Sequence, residues 1–492
     1  MLLIASATTS TGLHIVLPAM LVVAHITIII ALISVILLRE SGTSDARLAW
    51  IVFVVLAPFF GAAAYLLFGG QRIGGIRRRR HREIHRSYSD IRRDDVQSLQ
   101  AMEVDMPDHW RQVFSLAGAV TNTDVTGGHE LHLIGEPKTF ADEFIADIDA
   151  ATDTIHLLTY IYLDDETGRV VADALIRAAH RGVTVRLLVD SVGSRNFLKS
   201  QTIKGLRDEG VQVGEMLPAH IVRVLFARVD IRNHRKIAVF DNRIGWVGSR
   251  NIASPSFAPK ARFAPWVDCM ARVLGPAIHD LQTLFLEDWF MATEERHEEY
   301  LNEPIKPTSG TACCQIMGTG PNFNNEALQQ ILQNCFYAAQ HEIILTTPYF
   351  VPDSATEAAL RGAALRGVRT LLIVPSRNDS HLVALASRSH YATLIKAGVE
   401  IQEFTAGLLH AKTMTIDGSL FMIGSANLDR RSLELNFEVS MLGWSEAFAS
   451  TLRFLQTSYL NQCQPVDTAR WLSQPALGRM KYNLAGLFSP LL

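Results

Sequence analysis

None of the five cysteines (Cys269, Cys313, Cys314, Cys335 and Cys463) sits in a CxxC pair or beside a His ligand pattern. That argues against a disulfide framework and against a zinc site, and reads as reduced thiols in a cytosolic environment. The chain also lacks an excess of either charge. Its 46 Lys plus Arg stand against 49 Asp plus Glu, so the net charge of −3 says nothing about a nucleic-acid partner. A local absence tells more. From Leu13 to Leu38 there is no Asp, Glu, Lys or Arg, and such a run is long enough for a bilayer core, which needs about 20 apolar residues.

A second apolar run extends from Leu48 to Phe68, after the short polar stretch Arg39–Arg47. Together they read as a transmembrane helical hairpin. A cleaved signal peptide fits poorly, because the first run has no basic residue before it and exceeds the usual 7–15 apolar residues. Pro58 and Gly61 in the second run also suit a buried core helix, but membrane helices tolerate both. Arg72, Arg77, Arg78, Arg79, Arg80, Arg82 and Arg86 follow, with His81 and His85 among them. The positive-inside rule places this cluster, and with it both chain ends, on the cytoplasmic side. The expected topology is a membrane crossed twice, with the remaining residues cytoplasmic. The cluster also suits an anionic leaflet, although a plain stop-transfer flank explains it equally.

At 492 residues the chain exceeds one hydrophobic core, so two or more domains are expected. Beyond residue 120 helix and strand alternate, and the alternation occurs twice. Phe140, Phe144 and Ile148 mark a helix face, Thr154–Tyr162 a buried strand, Ala174–His180 a helix and Val183–Asp190 a strand. Leu328, Ile331, Leu332, Cys335 and Ala339, then Glu342–Phe350, Ala359–Leu365 and Leu371–Val374, repeat the order. Setting Arg181-Gly182-Val183 beside Arg366-Gly367-Val368 aligns the flanking helix and strand without gaps. The expected class is α/β, a duplicated domain with each sheet flanked by helices. The boundaries read as two transmembrane helices over 1–70, a basic juxtamembrane linker over 71–119 and a first repeat over 120–302. A linker over 303–310, a second repeat over 311–465 and a C-terminal tail over 466–492 complete the chain.

Each repeat carries the same constellation. His234, Lys236 and Asp241 precede Ser249 and Asn251, and His410, Lys412 and Asp417 precede Ser425 and Asn427. The spacing in both is HxK, four residues, D, six residues, GSxN. Read as a strand, HxK projects His and Lys to one side, and the aspartate ends the strand at a turn. A phosphodiester needs a nucleophile, a proton donor for the leaving alkoxide and positive charge around its oxygens. Two His and two Lys supply all three only if the repeats face each other about a pseudo-two-fold axis. The hydroxyls and carboxamides of GSxN suit phosphate oxygens. One HxK is more often an accident than a site, but two full copies at equivalent repeat positions are not. Glu438 and Asp268 are placed to orient the histidines, with an ordinary salt bridge as the competing reading. His220, His381 and His390 read as helix or loop residues, and Tyr349 and Phe350 as strand core. Trp471–Leu492 reads as packing on the body, with a membrane-surface placement as the alternative.

The paired motifs resemble the phospholipase D superfamily and, within it, the bacterial cardiolipin synthases. Similar stretches are Pro58–Gly61, Tyr65–Gly69, Tyr160–Asp165 with Gly168, Arg232–Ile237, Gly424–Ser432, Asn436–Glu438 and Phe488–Leu492. Asn242 stands where the family usually has Gly, Ser249 where a second Gly is common, and Val267 where an Arg is usual. The resemblance implies two tandem phospholipase D-like repeats and a phosphatidyltransferase that makes cardiolipin and glycerol from two phosphatidylglycerols. It implies a phosphohistidine intermediate with His234 as nucleophile and His410 as acid/base, roles the pseudo-symmetry also allows to be exchanged. Lys236, Lys412, Asn251 and Asn427 would hold the phosphate, Asp241 and Asp417 would support the site from its edge, and no cofactor or metal is called for. The implied partner is membrane phospholipid, not nucleic acid. A phospholipase D hydrolase making phosphatidic acid uses the same residues and is the alternative; a nuclease would call for basic grooves with exposed aromatics.

Overall fold

The computed structural model describes residues 5–38, 44–69, 75–99, 106–218, 230–302, 308–324 and 326–489. Residues 39–43 of the expected Arg39–Arg47 loop, Arg72, His220, residues 303–307 of the inter-repeat linker and the last three residues lie outside these. The chain divides into two compact units, residues 1–75 with 220–230, and residues 76–219 with 231–492.

The first unit is built on three helices: α1 (Ala5–Leu37), α2 (Ser44–Leu56) and α3 (Pro58–Phe68). Side chains of α1 are described mainly over its C-terminal half, and among the described residues no helix is long and apolar enough to cross a membrane. The expected second span, Leu48–Phe68, is not one helix. Proline disrupts a helix interior but suits its first turn, and Pro58 opens α3 after Ala57 leaves the helix at φ −141°, ψ 71°. The chain then doubles back. Trp50 and Tyr65 meet edge to face at 5.4 Å, whereas an unbroken helix would hold residues 15 apart about 22 Å from each other. Gly61 permits this fold-back, since a Cβ there would lie 2.8 Å from the Val54 Cα. Ile36, Val54 and Tyr65 form a small buried cluster between the helices.

In the second unit, the stretch expected as a linker is two helices packed on the body. On α4 (Gly75–Leu99), His81, Ile84 and Tyr88 form a buried stripe at helical spacing. The His85 imidazole lies 2.7 Å from the Glu287 carboxylate, and Arg80 and Arg296 pair with Glu294 and Glu83. Helix α5 (Asp108–Thr121) precedes the first repeat in sequence, yet Trp110, Val113, Phe114 and Ala117 pack into the core of the second.

The first repeat runs β1 (Thr126–Ile134), α6 (Pro137–Ala150), β2 (Thr154–Thr159), α7 (Glu166–His180), β3 (Thr184–Asp190), α8 (Gln201–Asp208), β4 (Gln212–Met216), β5 (Ile237–Phe240), β6 (Ile244–Gly248), β7 (Trp266–Val267), β8 (Met270–Leu274) and α9 (Ala277–Thr293). The second supplies β9 (Ala312–Thr319), β10 (Glu342–Thr346), β11 (Phe350–Val351), β12 (Arg369–Pro375), β13 (Glu400–Phe404), β14 (Leu408–Leu409), β15 (Thr413–Ile416), β16 (Leu420–Gly424), β17 (Leu428–Asp429), β18 (Glu438–Trp444) and β19 (Cys463–Pro465). Fifteen of these strands form one sheet. Its halves are ordered β1-β8-β6-β5-β2-β3-β4 and β9-β18-β16-β15-β10-β12-β13, joined where β1 pairs antiparallel with β9, with β19 at the outer edge. The mirrored order is the expected pseudo-two-fold pair. The gap-free match around Arg181 and Arg366 holds in the structure, where the helices end at His180 and Leu365 and the strands Thr184–Asp190 and Arg369–Pro375 follow at the same offset; the gap lies upstream. The helix Ser354–Leu365, equivalent to α7, has 12 residues against 15, so the frame shifts by about one turn at its N-terminus.

Strands β2 and β9 are buried along their whole length, as expected for strands covered on both faces. Helix α9 is buried nearly all round. In the tail, the helix Ala476–Gly486 packs Ala485 beside Val351, Val383 and Ala386, while Leu477, Met480, Leu484 and Leu487 on it and just after it are exposed.

Candidate active site

The HxK triplets do not lie in the strands they precede. Strand β5 begins at Ile237, just after Lys236, and β15 begins at Thr413, just after Lys412. Each triplet is held instead by the opposite repeat. The His234 N–H donates to the Phe437 carbonyl at 2.8 Å, and the His410 N–H donates to the Val267 carbonyl at 2.7 Å. Strand β14 pairs in parallel with β7, and Asn233 bridges in parallel to Phe437. These short cross-repeat ladders deliver the next residue along, an acid, to the histidine.

The Nδ1 of His234 lies 2.9 Å from Glu438 Oε2, and the Nδ1 of His410 lies 2.6 Å from Asp268 Oδ1. A carboxylate on Nδ1 fixes the proton there and leaves the Nε2 lone pair free. The Ser425 hydroxyl donates to Glu438 and the Ser249 hydroxyl to Asp268. Lys236 Nζ donates to the His234 carbonyl at 2.6 Å, and Lys412 makes the same bond to His410. Tyr160 stands edge-on to His234 at 4.8 Å and Trp266 lies 4.7 Å from His410. Both histidines and both lysines are buried.

Burial sets the charge states. Desolvation lowers both imidazoles to about 4, against the pull of their carboxylates and with help from the lysines, so both are neutral near pH 7. Desolvation lowers Lys236 to about 7, with Lys412 adding to the effect, and lowers Lys412 to about 8. Although desolvation opposes it, the cationic groups hold Asp268 and Glu438 below the usual carboxylate range. His234 and Lys236 feel Lys412, and His410 feels Lys236. Two buried lysines brought together lose their protons readily, and an anion between them would restore both. The arrangement therefore presents two imidazole nucleophiles or bases around an anion site.

A family model described as cardiolipin synthase, PLD-like domain, matches residues 144–289 and 332–454. One described as phospholipase D-nuclease N-terminal matches residues 26–70. Cardiolipin synthase A of Serratia proteamaculans (strain 568) is 34% identical over 470 residues, covering 94% of this chain and 96% of that protein. Cardiolipin synthase A of Proteus mirabilis (strain HI4320) is 34% identical over 452 residues, 91% and 93% of the two chains. The chain belongs to the cardiolipin synthase family of phospholipase D-like proteins. Its fold is also that of phosphatidylserine synthase from Haemophilus influenzae Rd KW20, with a TM-score of 0.59 at 13% identity over 77% of this chain and all of that one.

Within this cardiolipin synthase fold several expected site residues hold other posts. Asp241 and Asp417 lie at the far ends of β5 and β15, five residues or about 17 Å of strand beyond the lysines. Asp241 accepts the N–H groups of Thr152, Asp153 and Thr154, each at 2.8 Å, and Asp417 accepts those of Gln340, His341 and Glu342 at the same distance. Asp241-Asn242 and Asp417-Gly418 have left-handed φ of 50° to 67°, as the central pair of a primed turn requires, and the Arg243 and Ser419 N–H groups close the turns on the Phe240 and Ile416 carbonyls. These aspartates clamp hairpins and do not face the chemistry. Asn242 adopts the same turn conformation as Gly418, which explains why Asn serves there. Ser249 and Ser425 bind the bracing carboxylates, not an open phosphate position. Asn251 Oδ1 accepts from Ile161 N–H at 3.1 Å, and Asn427 Nδ2 lies 3.1 Å from Ser432 Oγ. His390 pairs with Glu357 at 2.7 Å, His381 opens an exposed helix end, Phe350 is strand core and Tyr349 donates to Asp379.

Not anticipated was the support under His234. Arg235, fully buried, bonds Asp288 at 2.8 Å, and Asn233 Nδ2 reaches the same carboxylate oxygen at 2.8 Å. Asp190 holds the Asn233 N–H at 3.0 Å. The available signal was Arg235 itself, a charge where the second motif has Ala411.

Proposed function

We propose that the protein synthesises cardiolipin by moving a phosphatidyl group from one phosphatidylglycerol to the hydroxyl of another, releasing glycerol. The observation that carries this reading is the pair of histidines, each braced on Nδ1 by a carboxylate of the opposite repeat, around two buried lysines. His234 Nε2 attacks phosphorus, the bond from phosphorus to the glycerol oxygen breaks, and that oxygen takes the Nε2 proton of His410, which is imidazolium once the anionic phosphodiester lies beside it and becomes neutral as the proton leaves. His410 then removes the proton from the second phosphatidylglycerol's hydroxyl, whose oxygen attacks phosphorus, and the bond from phosphorus to His234 breaks. Glu438 and Asp268 stabilise the imidazolium forms as they arise. Lys236 and Lys412 neutralise the non-bridging oxygens.

Asn251 adds its amide N–H groups, since its Oδ1 is engaged by Ile161. Asn427 does the same with its amide turned over, which lets the Ser432 hydroxyl donate to Oδ1. In the other orientation Oδ1 is buried without a hydrogen bond, and amide oxygen and nitrogen exchange at no cost in shape.

The N-terminal unit is the membrane anchor in this reading. Its support is the uncharged run Leu13–Leu38 and the exposure of Met20, Val23, Ile30, Leu37, Leu56 and Phe60, more exposed apolar surface than a water-soluble helix packing carries. The expected location is a bacterial cytoplasmic membrane with the catalytic residues cytoplasmic. The deciding experiment supplies the detergent-solubilised protein with head-group-labelled phosphatidylglycerol and excess chelator. Cardiolipin with labelled glycerol is the expected result. Phosphatidic acid without cardiolipin would mean that water is the acceptor and the chain is a hydrolase.

A further inference from the structure

The geometry of the N-terminal unit points to a membrane topology other than a two-span hairpin: we infer that α1, whose uncharged run Leu13–Leu38 reaches beyond the part with described side chains, crosses the bilayer and that α2 and α3 form a re-entrant loop. Both ends of that loop lie on the face carrying the arginine-rich helix. The inference rests on the membrane-anchor reading above and deepens it.

Three contacts define the shape. Trp50 in the middle of α2 meets Tyr65 in the second half of α3 at 5.4 Å, with the turn at Ala57 between them, so the two helices run side by side in opposite directions. The Gly61 Cα sits where a Cβ would strike the Val54 backbone, the close approach that small residues give to helices in lipid. His25 of α1 meets Phe59 at 6.0 Å, edge to face, so the tip of the α2–α3 pair reaches the level of His25 and no further. His25 is 12 residues from the end of α1, or about 18 Å of helix, and α2 is about 20 Å long, against a hydrocarbon core of about 30 Å.

The tip itself decides between a half-way loop and an emerging one. Leu56-Ala57-Pro58-Phe59-Phe60 contains no polar side chain, and Leu56 and Phe60 are 78% and 81% exposed. A turn of that composition belongs in acyl chains, not at an aqueous face. Pro58 has no N–H to leave unpaired, and the Gly61 N–H bonds the Ala57 carbonyl, which limits the backbone cost of turning inside lipid. The charged stretch holding Arg39, Glu40, Asp45 and Arg47, and the arginines from Arg72 to Arg86, then share one face. The N-terminus lies on the other, so every arginine cluster obeys the positive-inside rule without an exception for Arg39 and Arg47.

The test uses the full-length chain in its native membrane. In a Cys463→Ser background, since the other native cysteines are buried, single cysteines at Thr9, Ser41 and Asp208 are probed with a membrane-impermeant maleimide. The probe is applied before and after permeabilisation. The expected pattern is Thr9→Cys labelled in intact cells, with Ser41→Cys and Asp208→Cys labelled together only after permeabilisation. Labelling of Ser41→Cys from outside, with Asp208→Cys protected, would restore two spans and overturn the inference. Release of the protein by carbonate, with all three sites alike, would instead overturn the membrane-anchor reading on which it rests. A Trp50→Cys, Tyr65→Cys pair joined by a short bis-maleimide, and failing to join in a Gly61→Leu chain, checks the fold-back itself. Absence of cross-linking in the unaltered hairpin would count against it.

Discussion

A buried imidazole is a nucleophile only when neutral, and a buried lysine holds phosphate only when charged. Here burial drives both histidines to about 4 and the lysines to about 7 and 8. The two demands are met together in the interval between those values. As pH falls toward 4 the free enzyme's His234 takes up a proton, the nucleophile is lost and kcat/KM falls. As pH rises through 7 to 8 the lysines lose theirs, and the phosphodiester loses its counter-charge. A bell-shaped kcat/KM profile with its alkaline limb near 7–8 is expected, and a profile flat to pH 10 would contradict the lysine assignment. The carboxylates have a separable role. Glu438→Gln and Asp268→Asn keep the hydrogen-bonding shape but cannot stabilise imidazolium. Each is expected to lower kcat by about 10²–10⁴-fold with little change in KM, with the melting temperature reporting whether the fold is intact. His234→Ala and His410→Ala should each abolish turnover.

At the scale of the element, the HxKxxxxD spacing joins groups that the strand separates. Asp241 closes its hairpin by accepting three backbone N–H groups and the Thr152 hydroxyl. Charge-assisted bonds contribute about 1.5–3 kcal/mol each when buried, less at this half-exposed site. Asp241→Ala is therefore expected to lower the melting temperature by several degrees, while kcat of the folded fraction stays near its original value. The Asp241 carboxyl is partly desolvated, which opposes ionisation. The N–H groups of Thr152, Thr154 and Asp153 nevertheless hold it below the ordinary aspartate value. Its stabilisation is present above that ordinary value and is lost as pH falls through the folded one. The gap between the parent and Asp241→Ala melting temperatures should therefore shrink in acid.

The sequence showed the repeat, the alternation of helix and strand within each half and both His–Lys pairs, because those signals are local and periodic. It hid the fold of residues 75–121, where an arginine run masks the stripe His81, Ile84, Tyr88. It also left the carboxylate roles undecided, because Glu438 and Asp268 sit 204 and 142 residues from their histidines. The break at Pro58 was visible as a residue, but the direction of the chain after it was not.

At the scale of the whole molecule, the duplication is what makes the enzyme. Neither repeat carries a braced histidine of its own, because the carboxylate for His234 comes from the second repeat and that for His410 comes from the first. The short ladders β7–β14 and Asn233–Phe437 bring these groups across, and the joint is continuous with a sheet running through β1 and β9. A site assembled this way is complete within one chain and cannot be shared between chains without opening that sheet. Mixing His234→Ala protein with His410→Ala protein is therefore expected to give no more activity than either alone, at any ratio and after prolonged incubation. Recovery toward a quarter or half of the parent rate would show instead that repeats exchange between molecules, with β1 and β9 parting and re-pairing with a second copy.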